Sequence, residues 1–330
     1  MRTRILMLKP GADLDRLQSS LRGLGIWTQG LTSGQGDHRA LTIEPHSRRV
    51  PDDVLASLEG VQSLLTSPSD TPRLDALAGQ SIQVGKLAIG GGAPPVLAAG
   101  PCSAESPELV LAAAADAARS GARLLRGGAF KPRTSPYAFS GCGAEALGWL
   151  REAANVHSLG LVTEVMSERD VDGVGAVADL LQVGSRNMAN FALLREVGRV
   201  GLPVLLKRGR AASLDDWRQA AEHLLHGGAS GVIFCERGVA GVGDQRETRN
   251  TLDISAVALL KQVERAVVWV DPSHAAGRRD LVLPLSRAAL AAGADGLLIE
   301  AHPEARLARS DGAQALSTAE LERLGEELFV

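Results

Sequence analysis

Two sets of side chains in this sequence have types and spacings that could do chemistry. The first is cationic: Arg126, Lys131, Arg133, Arg186, Lys207 and Arg237, each at or just after the end of a short apolar run. Gathering several cations in one place costs repulsion unless an anion offsets it. Planar guanidinium forks suit phosphate and carboxylate. Taken one at a time, each reads better as a solvated loop charge. Taken together, they imply a small, multiply anionic ligand, with two phosphates divided between two substrates. The second set is Cys102, His274, Glu300 and Asp311. One thiolate, one imidazole and two carboxylates suit a divalent transition metal such as Mn, Fe, Co or Zn. The spacing is no local motif, and a strand cysteine taken alone also reads as a small buried hydrophobe. Cys142 and Cys235 have no comparable partners, and His302 reads either as a neighbour of this set or as an exposed loop histidine.

The elements that must position these residues begin at Pro95. Short apolar runs at 96–99, 123–126, 161–165, 179–183, 203–207, 231–235, 267–271 and 296–300 alternate with helical stretches. Each run is too short for a helix and apolar almost throughout, as parallel strands buried on both faces are. Helix starts between them are marked. Ser106-Pro107-Glu108 offers an N-cap, a proline at the first helical position and an acid in the first turn. Ser213 to Asp216 and Thr318 to Glu320 read similarly. Eight strand–helix units over about 235 residues predict a (β/α)8 TIM barrel. A doubly wound open sheet is the structural alternative. In a barrel, functional groups collect at the C-terminal strand ends, and here all eight ends are polar: Gly100-Pro101-Cys102-Ser103, Arg126, Glu164, Gly184-Ser185-Arg186-Asn187, Lys207-Arg208, Glu236-Arg237, Asp271-Pro272-Ser273-His274 and Glu300-Ala301-His302.

The first 70 residues follow a different plan. Strand 4–8, an amphipathic helix over 14–24 ending at Gly25, strands 25–32 and 39–43, a helix after Pro51 and a strand at 61–65 give the order βαββαβ. That order predicts a small ferredoxin-like (ACT-like) α+β domain. Two Ser, one Asp, one Thr and two Pro within 67–73 read as a linker. The expected organisation is therefore a domain at 1–70, a linker at 71–85 and a barrel at 86–330. The Gly90–Gly92 run lacks the Lys-Ser/Thr of a phosphate loop and reads as a turn.

Composition narrows the classes further. The chain has 330 residues, is 45% hydrophobic and 22% charged, and carries a net charge of −3. That describes a globular protein with no global reason to bind nucleic acid or membrane. Aromatic residues, at 3%, are too scarce for base-stacking surfaces. Three scattered cysteines make no disulfide framework. No signal peptide or membrane span is expected, so the reading is cytoplasmic.

Several ordered motifs resemble the 3-deoxy-D-arabino-heptulosonate 7-phosphate (DAHP) synthases of the type Iβ branch. They are Gly100-Pro-Cys-Ser, Leu125-Arg-Gly-Gly-Ala-Phe-Lys-Pro-Arg-Thr-Ser135, Gly184-Ser-Arg-Asn-Met188, Leu206-Lys-Arg-Gly209, Cys235-Glu-Arg-Gly238, Thr248-Arg-Asn-Thr-Leu-Asp253 and Asp271-Pro-Ser-His274. The resemblance spans about residues 86 to 315. It implies a condensation of phosphoenolpyruvate with erythrose 4-phosphate at the entry to the shikimate pathway and aromatic amino acids. It also implies that Cys102, His274, Glu300 and Asp311 hold a divalent metal that polarises the aldehyde. Arg126, Lys131, Arg186, Lys207 and Arg237 would then bind phosphoenolpyruvate, helped by backbone N–H groups near Gly184 and Ser185. Arg133 and Thr134, with Ser135, would take the aldose phosphate, and Asp271 joins the substrate-binding set. Lys131 is the candidate proton donor, and Glu164 and Glu236 are candidates to position the attacking water.

The related 3-deoxy-D-manno-octulosonate 8-phosphate synthases are the alternative. They typically carry Lys-Ala-Asn-Arg-Ser where this chain has Lys131-Pro-Arg-Thr-Ser135, which places it on the heptulosonate side. A catalytically silent barrel serving as a binding subunit is a third reading, disfavoured by the complete metal and cation sets. Two stretches depart from the family. Residues 238–247 are longer than the usual loop and lack its Arg-Thr-Phe-Glu core, and the linker lacks a Lys-Pro-Tyr-Lys segment. By its layout the N-terminal module resembles the family's ferredoxin-like regulatory domain, and the resemblance implies feedback regulation by an aromatic amino acid and a homo-oligomer, dimer or tetramer.

Overall fold

The structure is a computed structural model and describes residues 3–32, 38–131, 135, 137–241 and 247–329. By its internal contacts the chain divides into two compact units, Met1–Pro72 and Arg73–Val330.

The first unit runs β1 (Arg4–Leu8), α1 (Leu14–Gly23), β2 (Thr28–Thr32), β3 (His38–Ile43), α2 (Asp52–Ala56) and β4 (Val61–Thr66). Its four strands form an antiparallel sheet in the order β2-β3-β1-β4. Leu17 and Leu21 of α1 and Leu55 of α2 pack with Leu6, Leu8, Leu41 and Ile43 in a separate core. Asp13 caps α1 through the Arg16 N–H at 3.0 Å. The strand expected from residue 25 begins only at Thr28, because Gly25 at φ +75° completes the left-handed end of α1.

The second unit opens with α3 (Pro72–Ala76), β5 (Ser81–Val84) and β6 (Leu87–Gly90). The stretch expected as a linker thus carries a helix and a strand. Polar composition at 67–73 hid the alternating Ile82, Val84, Ile89 pattern just beyond it. The β5–β6 hairpin buries those three side chains against the barrel interior.

The barrel strands are β7 (Val96–Gly100), β8 (Leu124–Arg126), β9 (Gly160–Val165), β10 (Leu180–Val183), β11 (Val204–Lys207), β12 (Val232–Glu236), β13 (Val268–Val270) and β14 (Gly296–Glu300). All pairings are parallel, and the sheet closes through β14–β7 and β9–β10. The open-sheet alternative is excluded. Eight parallel strands closed on themselves and alternating with helices are a (β/α)8 barrel. The connecting helices are α4 (Pro107–Arg119), α5 (Ala144–Val156), α6 (Val171–Gly175), α7 (Phe191–Arg199), α8 (Leu214–Gly227), α9 (Ile254–Leu259), α10 (Pro272–Ala276) and α11 (Val282–Ala291), with α12 (Thr318–Leu328) last. Ser106 and Ser213 cap α4 and α8 as expected; α12 is capped by Ser317 rather than Thr318.

Alternation along the strands builds the site. Side chains of period two face the helices or the barrel axis in turn. Leu97, Ala99, Leu125, Leu161, Leu181, Leu206, Phe234, Val268 and Leu297 pack outward under the helices. Ala98, Leu124, Val162, Leu180, Leu205, Cys235, Trp269 and Leu298 pack inward around the axis. The next inward position on seven of those strands is polar: Arg126, Glu164, Gln182, Lys207, Arg237, Asp271 and Glu300. One step toward the C-terminal mouth turns a hydrophobic plug into a ring of charge.

Candidate active site and metal centre

A cavity of about 390 Å³ opens at this mouth, lined among others by Arg126, Lys131, Glu164, Arg186, Lys207, Arg237, His274 and Asp311. Arg210 and Arg249 add two further cations to its wall, together with Gln182 and Asn187. Neither arginine was singled out from the sequence. Both lie in segments beyond strand ends, where strand periodicity carries no signal, although both fall within or beside the quoted motifs.

Cys102, His274, Glu300 and Asp311 come together, each offering a donor atom, with all four atoms within 4.8 Å of one another. Cys102 follows β7, His274 lies on α10 after β13, Glu300 ends β14 and Asp311 lies beyond it. Closure of the barrel makes these strands neighbours. Cys102 Sγ is 3.2 Å from Asp311 Oδ2, and His274 Nε2 is 3.3 Å from Glu300 Oε1. Burial, reinforced by the Glu300 charge, pushes the Cys102 thiol up to about 11. Burial lowers the His274 pKa despite the nearby carboxylates. Glu300 is held below the usual carboxylate range by His274 and Arg126 against the effect of burial. Asp311 is likewise held down to about 2, against burial, by His274 and Arg249. A hard–soft donor set with a neutral imidazole and two ionised carboxylates fits a divalent cation, which would also relieve the cost of ionising the thiol.

The supporting contacts are short. Asp271 is fully buried and does not line the cavity. Its Oδ2 accepts from Lys207 Nζ at 2.6 Å and lies 2.7 Å from His274 Nδ1. It orients two site residues rather than facing a ligand directly, in contrast to the direct substrate contact expected of it. Arg126 donates to Glu300 Oε1 at 2.9 Å and to the Pro101 carbonyl at 3.1 Å. Lys131 Nζ donates to the Cys102 carbonyl at 2.9 Å; the Cys102 and Glu164 charges outweigh burial and raise its pKa. A Cβ on Gly184 would stand 2.0 Å from Glu164 Oε1, so glycine is needed there for the carboxylate to reach the cavity. At Gly100, φ is +150° and a Cβ would meet the Arg126 carbonyl at 2.2 Å, which leaves only glycine where β7 and β8 converge.

Not every expected residue reaches the site. Glu236 is fully buried outside the cavity: it accepts from Arg208 at 3.0 Å and from the Gly238 N–H at 2.7 Å. Its strand position is one residue out of phase with Cys235 and Arg237, so it points toward the helices, and a water-positioning role does not fit. Counting parity along the strand would have excluded it. Ser135 is exposed and away from the cavity lining. Arg133 and Thr134 lie outside the described residues, as do 242–246 of the long loop. Gly184 and Ser185 do line the cavity, as expected, and Ser185 donates to the Arg208 carbonyl at 2.7 Å. His302 is buried, accepts from the Glu304 N–H at 3.0 Å and has Nε2 4.0 Å from Glu105. Cys235 belongs to the apolar barrel interior, where burial pushes its thiol up.

The fold and this mouth define a class: a (β/α)8 enzyme whose barrel mouth sets a ring of cations beside a four-donor cluster that could hold a metal ion. A family model described as "DAHP synthetase I family" matches residues 71–329. The phospho-2-dehydro-3-deoxyheptonate aldolase of Thermotoga maritima is 38% identical over 337 residues, covering 98% of this chain and 96% of that protein. A crystal structure of that DAHP synthase superposes with a TM-score of 0.75 at 36% identity, over 99% and 96% of the two chains. The 2-dehydro-3-deoxyphosphooctonate aldolase of Nitrosococcus oceani is 31% identical over 252 residues, covering 70% of this chain and 88% of that protein. The chain belongs to the DAHP synthetase I family. Among the described residues, no helix is long and apolar enough to cross a membrane.

Proposed function

We propose that this chain condenses phosphoenolpyruvate with erythrose 4-phosphate and water, giving DAHP and inorganic phosphate. The observation that carries the reading is the meeting, at one barrel mouth, of seven cationic side chains with the Cys102, His274, Glu300 and Asp311 cluster. Two phosphates and a carboxylate call for that much positive charge. Near-full-length similarity to the Thermotoga enzyme supports the heptulosonate product over the octulosonate one.

The four donors are the residues that would hold the divalent metal, Mn or else Fe, Co or Zn. Such an ion, when bound, supplies Lewis acidity at the aldehyde oxygen. Arg126, Arg186, Lys207 and Arg237 hold the phosphate and carboxylate of phosphoenolpyruvate, with Asp271 keeping Lys207 aimed. Arg133 and Thr134 take the aldose phosphate. C3 of the enol forms the new bond to the aldehyde carbon, and a proton from Lys131 Nζ goes to the aldehyde oxygen. Water then adds at C2, losing its proton to Glu164, and the C2–O bond to phosphate breaks. Holding both substrates in line supplies much of the rate.

The βαββαβ order and 2-3-1-4 sheet of the first unit support a ferredoxin-like domain that binds an aromatic amino acid as feedback inhibitor. Division of the chain at 1–70 and 86–330, assembly as a homo-oligomer and a cytoplasmic location belong to the same reading. The deciding experiment measures phosphate release and product mass with erythrose 4-phosphate and, separately, arabinose 5-phosphate, with and without EDTA. Turnover of the five-carbon sugar alone would transfer the chain to the octulosonate branch. Turnover untouched by EDTA would remove the metal.

A further inference from the structure

Glu300 and Asp311 each turn their two carboxylate oxygens in different directions. Glu300 Oε1 lies 3.3 Å from His274 Nε2, and Asp311 Oδ2 lies 3.2 Å from Cys102 Sγ. Those oxygens face the donor cluster. The other two face Gln314, which has had no role so far, and Arg249, so far only a cation of the cavity wall. Glu300 Oε2 accepts from Gln314 Nε2, and Asp311 Oδ1 accepts from Arg249 at 3.1 Å. The pair is itself joined, because Arg249 also donates to Gln314 Oε1 at 3.1 Å.

The chemistry of this chain of contacts has one self-consistent arrangement. A guanidinium only donates and a carboxylate only accepts. A glutamine between them must turn its oxygen to Arg249 and its NH₂ to Glu300; the flipped amide would set donor against donor and acceptor against acceptor. Gln314 is 2% exposed, so water does not substitute for these bonds. The backbone supports the placement. The Gln314 N–H bonds the Asp311 carbonyl at 3.1 Å, in a turn that Asp311 enters at φ +51°, a left-handed conformation uncommon outside glycine. The N–H groups of Arg249 and Asn250 bond the carbonyls of Ala276 and Ala275 at 2.9 Å, which ties this segment to the helix carrying His274.

We infer that Gln314 and Arg249 are positioning residues for the metal centre, fixing the rotation of both carboxylates so that each offers one oxygen to a divalent cation. The inference rests on the metal-centre reading above. The neutral amide of Gln314 adds no charge to the centre, and Arg249 offsets part of the negative charge of Asp311.

The test is a titration of chelator-stripped full-length protein with Co²⁺, following the charge-transfer absorption of the Cys102 thiolate, for the wild type, Gln314→Met and Arg249→Met. Thermal melting of each metal-free protein is recorded alongside. The expected result is Co²⁺ binding about 10- to 100-fold weaker in both variants, the range usual for partners of ligating groups, with an altered band shape. The melting temperature of metal-free Arg249→Met should stay near that of the wild type. Wild-type affinity and an unchanged band in folded variants overturn the positioning role alone. A wild type that binds no Co²⁺ overturns the metal centre and this inference together. Should Gln314→Met not fold, Arg249→Met decides the matter by the same criteria.

Discussion

Asp271 and His274, three residues apart at the end of β13, share a 2.7 Å contact between Oδ2 and Nδ1, and the same Asp271 oxygen receives Lys207 Nζ at 2.6 Å. One buried carboxylate therefore sets both a metal-ligand candidate and a cation of the cavity wall. Its pKa lies well below the ordinary value because His274 and Lys207 outweigh the effect of burial. Asp271 N-caps α10 as well, accepting from the His274 N–H at 2.9 Å. Few side chains in the barrel hold so many obligations at once.

Replacing it by Asn keeps the shape and removes the charge. Asp271→Asn should weaken metal binding about 10- to 100-fold and raise KM for phosphoenolpyruvate through a misaimed Lys207. Metal titration and steady-state kinetics on the same preparation separate the two effects. Unchanged values of both would show that the contact is incidental.

The Cys102 thiol, at about 11 in the metal-free chain, is protonated at neutral pH. Ligation requires the thiolate, so metal binding must release that proton. Apparent affinity should then rise by about tenfold per pH unit for this one proton below its pKa. Calorimetry at pH 7.5 in two buffers of different ionisation enthalpy should count close to one proton from Cys102, and Cys102→Ser should abolish that release. A proton count of zero in the wild type contradicts the assignment.

Gly184 and Glu164 are in contact through space that only a hydrogen fills. Gly184→Ala should push the carboxylate aside and lower kcat by about 10²-fold, in the range of a lost acid–base group. Glu164→Gln should do the same by chemistry rather than displacement. Combining the two should cost little more than either alone, which a kinetic double-mutant comparison can read.

Arg208 and Glu236 predict the opposite behaviour. Both point away from the axis. Arg208 bonds Glu236 at 3.0 Å and Asp253 at 2.9 Å, and its guanidinium sits 5.6 Å from the Trp217 ring centroid. Glu236→Gln removes the buried charge opposite Arg208 and one of the two oxygens that accept from Arg208 and the Gly238 N–H, and should cost roughly 3 kcal/mol of stability. Denaturant unfolding would show this, while the folded fraction still turns over. A loss of turnover matching that of Glu164→Gln, at full stability, would return Glu236 to the chemistry.

Removal of residues 1–70 should leave turnover and abolish inhibition by Tyr or Phe. Inhibition assays on the full and shortened chains test the regulatory reading; equal responses would end it.

Much of the architecture was legible from residue order alone. Eight apolar runs, the serine caps of α4 and α8, and polar strand ends imply a barrel because parallel strands buried on both faces can use few other residue types. Cys102, His274, Glu300 and Asp311 could be nominated by type, since metal donors are chemically few. Four decisions belonged to the tertiary structure. Closure between β14 and β7 is what brings residues 209 positions apart into one donor set. Side-chain parity, set by how the sheet closes, put Glu164 in the cavity and Glu236 behind its wall. Asp271 moved from the ligand face to a buried support, because its partners Lys207 and His274 arrive from different segments. Arg249, Arg210 and Gln314 came from segments without periodicity, where a side chain's direction follows from hydrogen bonds made at long range. Local pattern determines which elements form; which faces meet depends on contacts that sequence order does not encode.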